Sequence, residues 1–366
     1  MFSLRDKELA DNIISQITKA KVHLKFMHVC GTHQDTLVKH GLDVLLQNCG
    51  VEIGQGPGCP VCVTTPKEIE EILLLARHGK MITTFGDMIR VPGLTSSLQQ
   101  MKTDGCDVRT VYSIEDALLL AEKHKEKEVV FMAVGFETTA PTTASVLLRD
   151  PPLNFSVLCC HRLIPPALQA ILQMGELKID GFIEPGHVST IIGIKPYEFI
   201  SKEYHVPQVI AGFEPLDLLM GVWMLMRQIQ QGKAVVENEY VRAVKPQGNK
   251  TAQQILKKVF EPVDIKWRGF PVIPHSGLRL RKKFEIYDAR KKYEDELKKI
   301  AREEFAEPIG CLCGDVLRGL ISSKQCPLFG RECTPENPVG PCMVSSEGNC
   351  HIQYQYTKEI GRNNNG

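Results

Sequence analysis

Charge of one sign is nowhere in surplus in this 366-residue sequence: 44 Lys and Arg stand against 43 Asp and Glu, a net charge of +1. That balance provides no general attraction to nucleic acid or to an anionic membrane, and neither is expected as a partner. Long hydrophobic runs are missing too. The best apolar stretches, such as Val129 to Val134, have the length of a strand, well short of the roughly 18 residues needed to cross a bilayer. The start, Met1-Phe2-Ser3-Leu4-Arg5-Asp6-Lys7-Glu8, mixes both signs of charge without the unbroken apolar stretch of a secretory leader, so a cytoplasmic location is expected. No Gly-x-Gly-x-x-Gly, P-loop or Ser-His-Asp order occurs, which leaves nucleotide use and hydrolysis without support. A composition of 43% hydrophobic and 24% charged residues excludes disorder and a collagen-like chain.

Cysteine is what the sequence has in abundance. Thirteen of them, in a chain without an export signal, point to metal ligation or thiol chemistry before structural disulfides, and an odd number precludes complete pairing. Cys30, Cys49, Cys59, Cys62, Cys106, Cys159 and Cys160 lie in the first half; the next is Cys311, and six fall between there and Cys350.

The length suits two or three domains. One pattern recurs: a short β-branched apolar run, a Gly, Cys or His corner, then a helical segment. It is read at Phe26–Val29, Met81–Phe85, Val129–Val134, Phe155–Leu158, Gly181–Ile183 and Val209–Ala211. Such runs, separated by helical stretches like Ile69–Ala76 and Ala167–Met174, predict parallel sheets with helical crossovers, whose ligand sites lie at the carboxyl ends of the strands. The expected architecture is α/β. An amino-terminal helix (1–24), with Leu9, Ile13, Ile14 and Ile17 on one face, precedes two parallel-sheet α/β domains (25–120 and 121–235) with a cleft between them. A third, irregular cysteine-rich region (236–366) carries the carboxyl-terminal thiols; within it Val272–Gly277 reads as a turn and Arg279–Glu307 as a solvated, charge-paired helix.

The carboxyl-terminal six, Cys311, Cys313, Cys326, Cys333, Cys342 and Cys350, have Gly or Pro at nearly every turn, which lets the backbone bend tightly around a metal. Zinc favours paired C-x2-4-C knuckles, and none occurs here. Widely separated thiolates suit a four-iron cluster, a 4Fe-4S cubane. Spacing alone does not choose four ligands from six, and the two left over can form a disulfide that exchanges electrons with the cluster.

In the first half, Cys59-Pro60-Val61-Cys62 is a C-x-x-C at a predicted helix amino terminus, where the macrodipole favours thiolate; such pairs are redox-active or bind metal. Cys30 stands at a predicted strand end beside His33 and Asp35, either as a site residue or as a small buried hydrophobe. Cys49, Cys106 and Cys159 are assigned to packing. Asp87, Glu137, His161, His187 and Glu214 occupy the other corners, where together they are placed to line a cleft.

Cys30-Gly31-Thr32-His33, Gly56-Pro57-Gly58-Cys59-Pro60-Val61-Cys62, Gly135-Phe136-Glu137-Thr138-Thr139-Ala140-Pro141 and Pro185-Gly186-His187-Val188 occur in this order, followed by Cys333-Thr334-Pro335 and Gly340-Pro341-Cys342-Met343-Val344-Ser345-Ser346-Glu347-Gly348. With these motifs the chain, from about Lys25 to Cys350, closely resembles the HypD family of nickel-iron hydrogenase maturation proteins. The resemblance implies a scaffold on which iron receives two cyanides and one carbon monoxide. The partners it implies are a small chaperone, HypC, and a cyanide donor, HypE. It implies Cys30 as the iron ligand, His33 as its neighbour, and Cys59 with Cys62 as an exchangeable dithiol. It places a 4Fe-4S cluster on Cys311, Cys326, Cys333 and Cys350, with Cys313 and Cys342 as a nearby disulfide. Two rival functions remain at this level: a cluster-dependent oxidoreductase acting on protein disulfides, and a zinc-stabilised adaptor.

Overall fold

The computed structural model describes residues 6–363, with side chains described to residue 356. The first two strands, β1 (Leu24–His28) and β2 (Val51–Gln55), run parallel. The chain then leaves them to build a separate four-stranded sheet from β3 (Met81–Thr84), β4 (Val108–Thr110), β5 (Val129–Gly135) and β6 (Phe155–His161), in the order β4-β3-β5-β6. It returns with β7 (Gly181–Pro185), β8 (Gln208–Ala211) and β9 (Val236–Asn238), which complete a five-stranded sheet in the order β2-β1-β7-β8-β9. Every pairing in both sheets is parallel.

All six strands expected from the apolar runs are present. The boundary expected at residue 120, however, falls inside the four-stranded sheet, between β4 and β5. Its segment, 81–161, is inserted between the two halves of the other sheet. Parallel neighbours need a crossover, not adjacency in sequence, so β1 accepts β7 as readily as β2: Met27 pairs with both Gly54 and Phe182.

The two sheets share a core. Met27, Phe182 and Ile210 from the first and Ile82, Val130, Met132 and Leu158 from the second belong to one apolar cluster. The amino-terminal helix, Lys7–Lys19, starts with Asp6 accepting from the Leu9 amide and buries Ile13 and Ile17. It packs on helix Pro215–Gln230, where Trp223 Nε1 donates to Gln16 Oε1 at 2.8 Å.

Two expectations for the third region are corrected. Val272–Gly277 is not a turn: it lies in β11 (Val272–Leu280), which pairs antiparallel with β10 (Phe260–Lys266), and Ile273 is buried opposite Ile265. The charged stretch after Leu280 is not one solvated helix. It breaks into a 3-10 turn, Lys282–Tyr287, and helices Ala289–Lys292 and Glu294–Ala301, because Tyr287, Tyr293 and Leu297 are drawn into the core. The cysteine-rich tail of this region, expected to be irregular, contains helices at Cys313–Leu317, Pro341–Val344 and Asn349–Asn363.

Candidate functional site

The polar corners of β1, β3, β5 and β7 meet over a cavity of about 300 Å3. Its lining includes Cys30, Thr32, Phe85, Gly135, Thr138, His187 and Glu347. Cys30 is the residue just before helix Gly31–Lys39. Burial pushes its thiol up to about 11, while the Thr32 and His33 amides and the Thr32 hydroxyl oppose that rise. Beside it His33 is fully buried, its Nε2–H donating to the Ala211 carbonyl at 3.3 Å and its bare Nδ1 without a hydrogen-bond partner among the described residues. Burial lowers its pKa to about 3, so the imidazole is neutral. Asp35 is not part of this group: it accepts from the Tyr356 hydroxyl at 2.8 Å.

Cys59 and Cys62 form the one disulfide among the described residues and are both fully buried. Cys59 is the residue before the short helix Pro60–Val63, and its sulfur accepts from the Cys62 amide at 3.1 Å. The loop leading to it lies on Cys30: a Cβ on Gly58 would stand 2.2 Å from the Cys30 nitrogen, so only glycine permits this approach. The neighbouring Gly58, Pro60 and Val61 line the cavity beside Cys30. On its other side Cys62 Sγ lies 4.0 Å from the carbonyl oxygen of Pro341, the residue before Cys342.

The tail thiols gather immediately behind. Cys311, Cys313, Cys326, Cys333 and Cys350 surround a point about 10 Å3 in volume, no more than one water, walled by Val316, Leu328, Phe329 and Met343. Gly340 lets the backbone pass, since a Cβ there would lie 2.6 Å from both the Cys311 and Cys313 sulfurs. Cys342 and Cys313 hydrogen-bond to Cys350 and hold its thiol well below the ordinary value. Among the described residues no three His, Cys, Asp or Glu donors converge as a single-ion site. All-sulfur donors with an apolar wall suit an iron-sulfur cluster by their chemistry. The expected Cys313–Cys342 disulfide is absent here: both are free thiols, and Cys342 is shared between Cys313 and Cys350.

The remaining corners divide. His187 lines the cavity and stacks on Phe213 with ring centroids 4.0 Å apart. Asp87 is turned to the tail, accepting from the Ser345 and Ser346 hydroxyls and the Ser346 amide at 3.0 to 3.1 Å. Glu137 accepts from the Ile164 amide at a helix start, His161 bonds Thr143, and Glu214 begins helix Pro215–Gln230; these three are structural. Sequence reasoning assigned no role to Glu347, which reaches the cavity across Gly31. Its sequence signal is its place in the Gly340–Gly348 motif, and nothing local links that motif to Cys30.

The family model described as "HypD: Hydrogenase formation hypA family" matches residues 6–357. A putative hydrogenase expression/formation protein of Methanocaldococcus jannaschii is 49% identical over 98% of this chain and 100% of its own. The hydrogenase maturation factors HypD of Cupriavidus necator and Escherichia coli are 43% and 44% identical, over 96% and 92% of this chain and 95% and 90% of theirs. Over a chain whose C-x-x-C loop lies between the Cys30 cavity and the tail thiols, these likenesses establish that it belongs to the HypD family of hydrogenase maturation factors.

Proposed function

We propose that this chain is the cytoplasmic scaffold on which one iron atom, held as cargo, receives two cyanides and a carbon monoxide for a nickel-iron hydrogenase. A HypC-type chaperone shares the iron and a HypE-type protein donates cyanide. The observation that carries the reading is the position of the C-x-x-C, whose loop touches Cys30 on one side while Cys62 faces Pro341 and the tail thiols on the other.

Cys30 supplies a soft thiolate, suited to low-spin iron with strong-field diatomic ligands, and the neutral His33 stands next to it. Cyanide leaves a carrier thiocyanate, R–S–CN, as CN⁻ when the S–C bond breaks, which requires two electrons at sulfur. The reduced form of Cys59 and Cys62 provides both. The two thiols become the disulfide and release two protons, one going to R–SH and the other to solvent, while CN⁻ binds iron. Cys311, Cys326, Cys333 and Cys350 are the residues proposed to hold a 4Fe-4S cluster, and Cys313 with Cys342 the accompanying redox pair. When bound there, such a cluster supplies single electrons. Eleven free cysteines among the described residues suit a reducing compartment.

Infrared spectra of the chain purified without oxygen together with its small partner test the cargo assignment. Cyanide and carbonyl stretching bands are expected, and Cys30→Ala removes them while leaving the broad visible absorption of the tail. Cys333→Ala abolishes that absorption. A colourless preparation containing stoichiometric zinc would refute the cluster.

A further inference from the structure

A run of polar groups, buried at His28 and Gln34 and part-buried at Asn349, joins the two cysteine centres by a route separate from the dithiol. The Cys30 amide donates to His28 Nδ1 at 3.4 Å, His28 Nε2 meets Gln34 Oε1 at 2.8 Å, and Gln34 Nε2 donates to Asn349 Oδ1 at 2.9 Å. One end dictates every role. A backbone amide only donates, so Nδ1 is the bare nitrogen and Nε2 carries the proton. That proton turns the Gln34 carbonyl toward it, which leaves the Gln34 amide nitrogen for the Asn349 carbonyl. Asn349 is the first residue of the last helix and precedes Cys350.

We infer that His28, Gln34 and Asn349 are positioning residues whose hydrogen-bond chain ties the backbone at Cys30 to the start of the helix bearing Cys350. This rests on the reading that Cys30 holds the cargo iron and Cys350 a tail cluster. His28 is fully buried and Gln34 is 7% exposed, so a break on their side leaves a buried polar group unsatisfied, while the Asn349 end of the run is part-buried. The run therefore moves as a unit, and a shift of the tail at Cys350 displaces the cargo thiol. The rest of the helix contact does not depend on it, because Val38, Ile352 and Tyr356 form their own apolar cluster and Tyr356 bonds Asp35.

The test reads the alkylation rate of Cys30 by iodoacetamide, residue by residue, in the full chain without cargo. Gln34→Met and Asn349→Ala are each expected to raise that rate about threefold to tenfold, the worth of one hydrogen bond. Because the links are in series, the double variant should gain no more than the larger single one. Asn349→Asp, which still accepts from Gln34, should keep the parent rate. In the complex with the small partner, Gln34→Met should shift the cyanide and carbonyl bands without altering the tail's visible absorption. Unchanged labelling in Asn349→Ala, or additive effects in the double variant, overturns the inference. If Cys30→Ala leaves the infrared bands in place, the cargo assignment fails instead, and the labelling result separates the two failures.

Discussion

Arg162 has no exposed surface, yet it carries a full charge into the core at the end of β6. Its guanidinium takes both oxygens of Glu68, at 2.9 and 2.5 Å, and also donates to the Cys160 carbonyl. Arg290 adds a second cation from the third region, bonding Glu71 at 2.8 Å. Burial by itself would raise the Glu68 pKa, but Arg162, Arg290 and Thr65 together hold it at about 2. Arg162→Met leaves the Glu68 carboxylate buried without its bidentate partner, with only Arg290 at 3.6 Å and Thr65 beside it, and should cost about 3 kcal/mol in urea unfolding. The pH dependence has a definite sign. A carboxylate held below its unfolded value contributes stability above about pH 4.3, and that contribution is lost as pH falls toward about 2. Unfolding midpoints measured from pH 6 down to pH 2 should therefore fall more steeply in the parent than in Glu68→Gln.

Strands show how far a local pattern reaches. β5 and β6 are buried at all seven positions each, and their β-branched, apolar content made them legible. β2, β4 and β9 were not read, because β2 is broken by Gly54 and the other two are three residues long. The loop after β2 matters more to the site than the strand itself. Gly58→Ala would place a methyl 2.2 Å from both the Cys30 nitrogen and the Val29 carbonyl carbon, backbone atoms that cannot swing aside. The C-x-x-C loop must then move off Cys30. Such a variant is expected to keep the tail's visible absorption and to lose maturation of the hydrogenase large subunit in cells, scored as hydrogenase activity; an active strain would show that the close approach is dispensable.

At the scale of the whole molecule, the tail holds the two sheet units to each other. Its turn at residues 345–347 bonds Asp87 from the four-stranded sheet and packs Glu347 on Gly31 beside the five-stranded one. Asn349 continues the contact through Gln34. Asp87→Ala removes three hydrogen bonds at once, at about 1 kcal/mol each before any replacement by water. Amide hydrogen exchange should then speed up at 341–350 while the protection of β5 and β6 stays as it was. Unchanged exchange in the tail would mean that its own packing, and not Asp87, secures it.

The α/β class and six of the strands were determined by the sequence itself, since burial on both faces and turn chemistry are local properties that residue type records; the grouping of Cys30 with Cys59 and Cys62 was implied by the family resemblance and by no local property. What sits behind them was decided by the tertiary structure. Asp35 looked like a partner of Cys30, and Glu137, His161 and Glu214 like cleft residues, but they are satisfied elsewhere, by Tyr356, by Ile164, by Thr143 and at a helix start. Glu347, His28, Gln34 and Asn349 had no such look and yet stand at or beside the site. A side chain's chemistry is written in its residue type, but its partners are set by which distant segment the core's closure brings within about 3 Å, and that is a property of the whole fold.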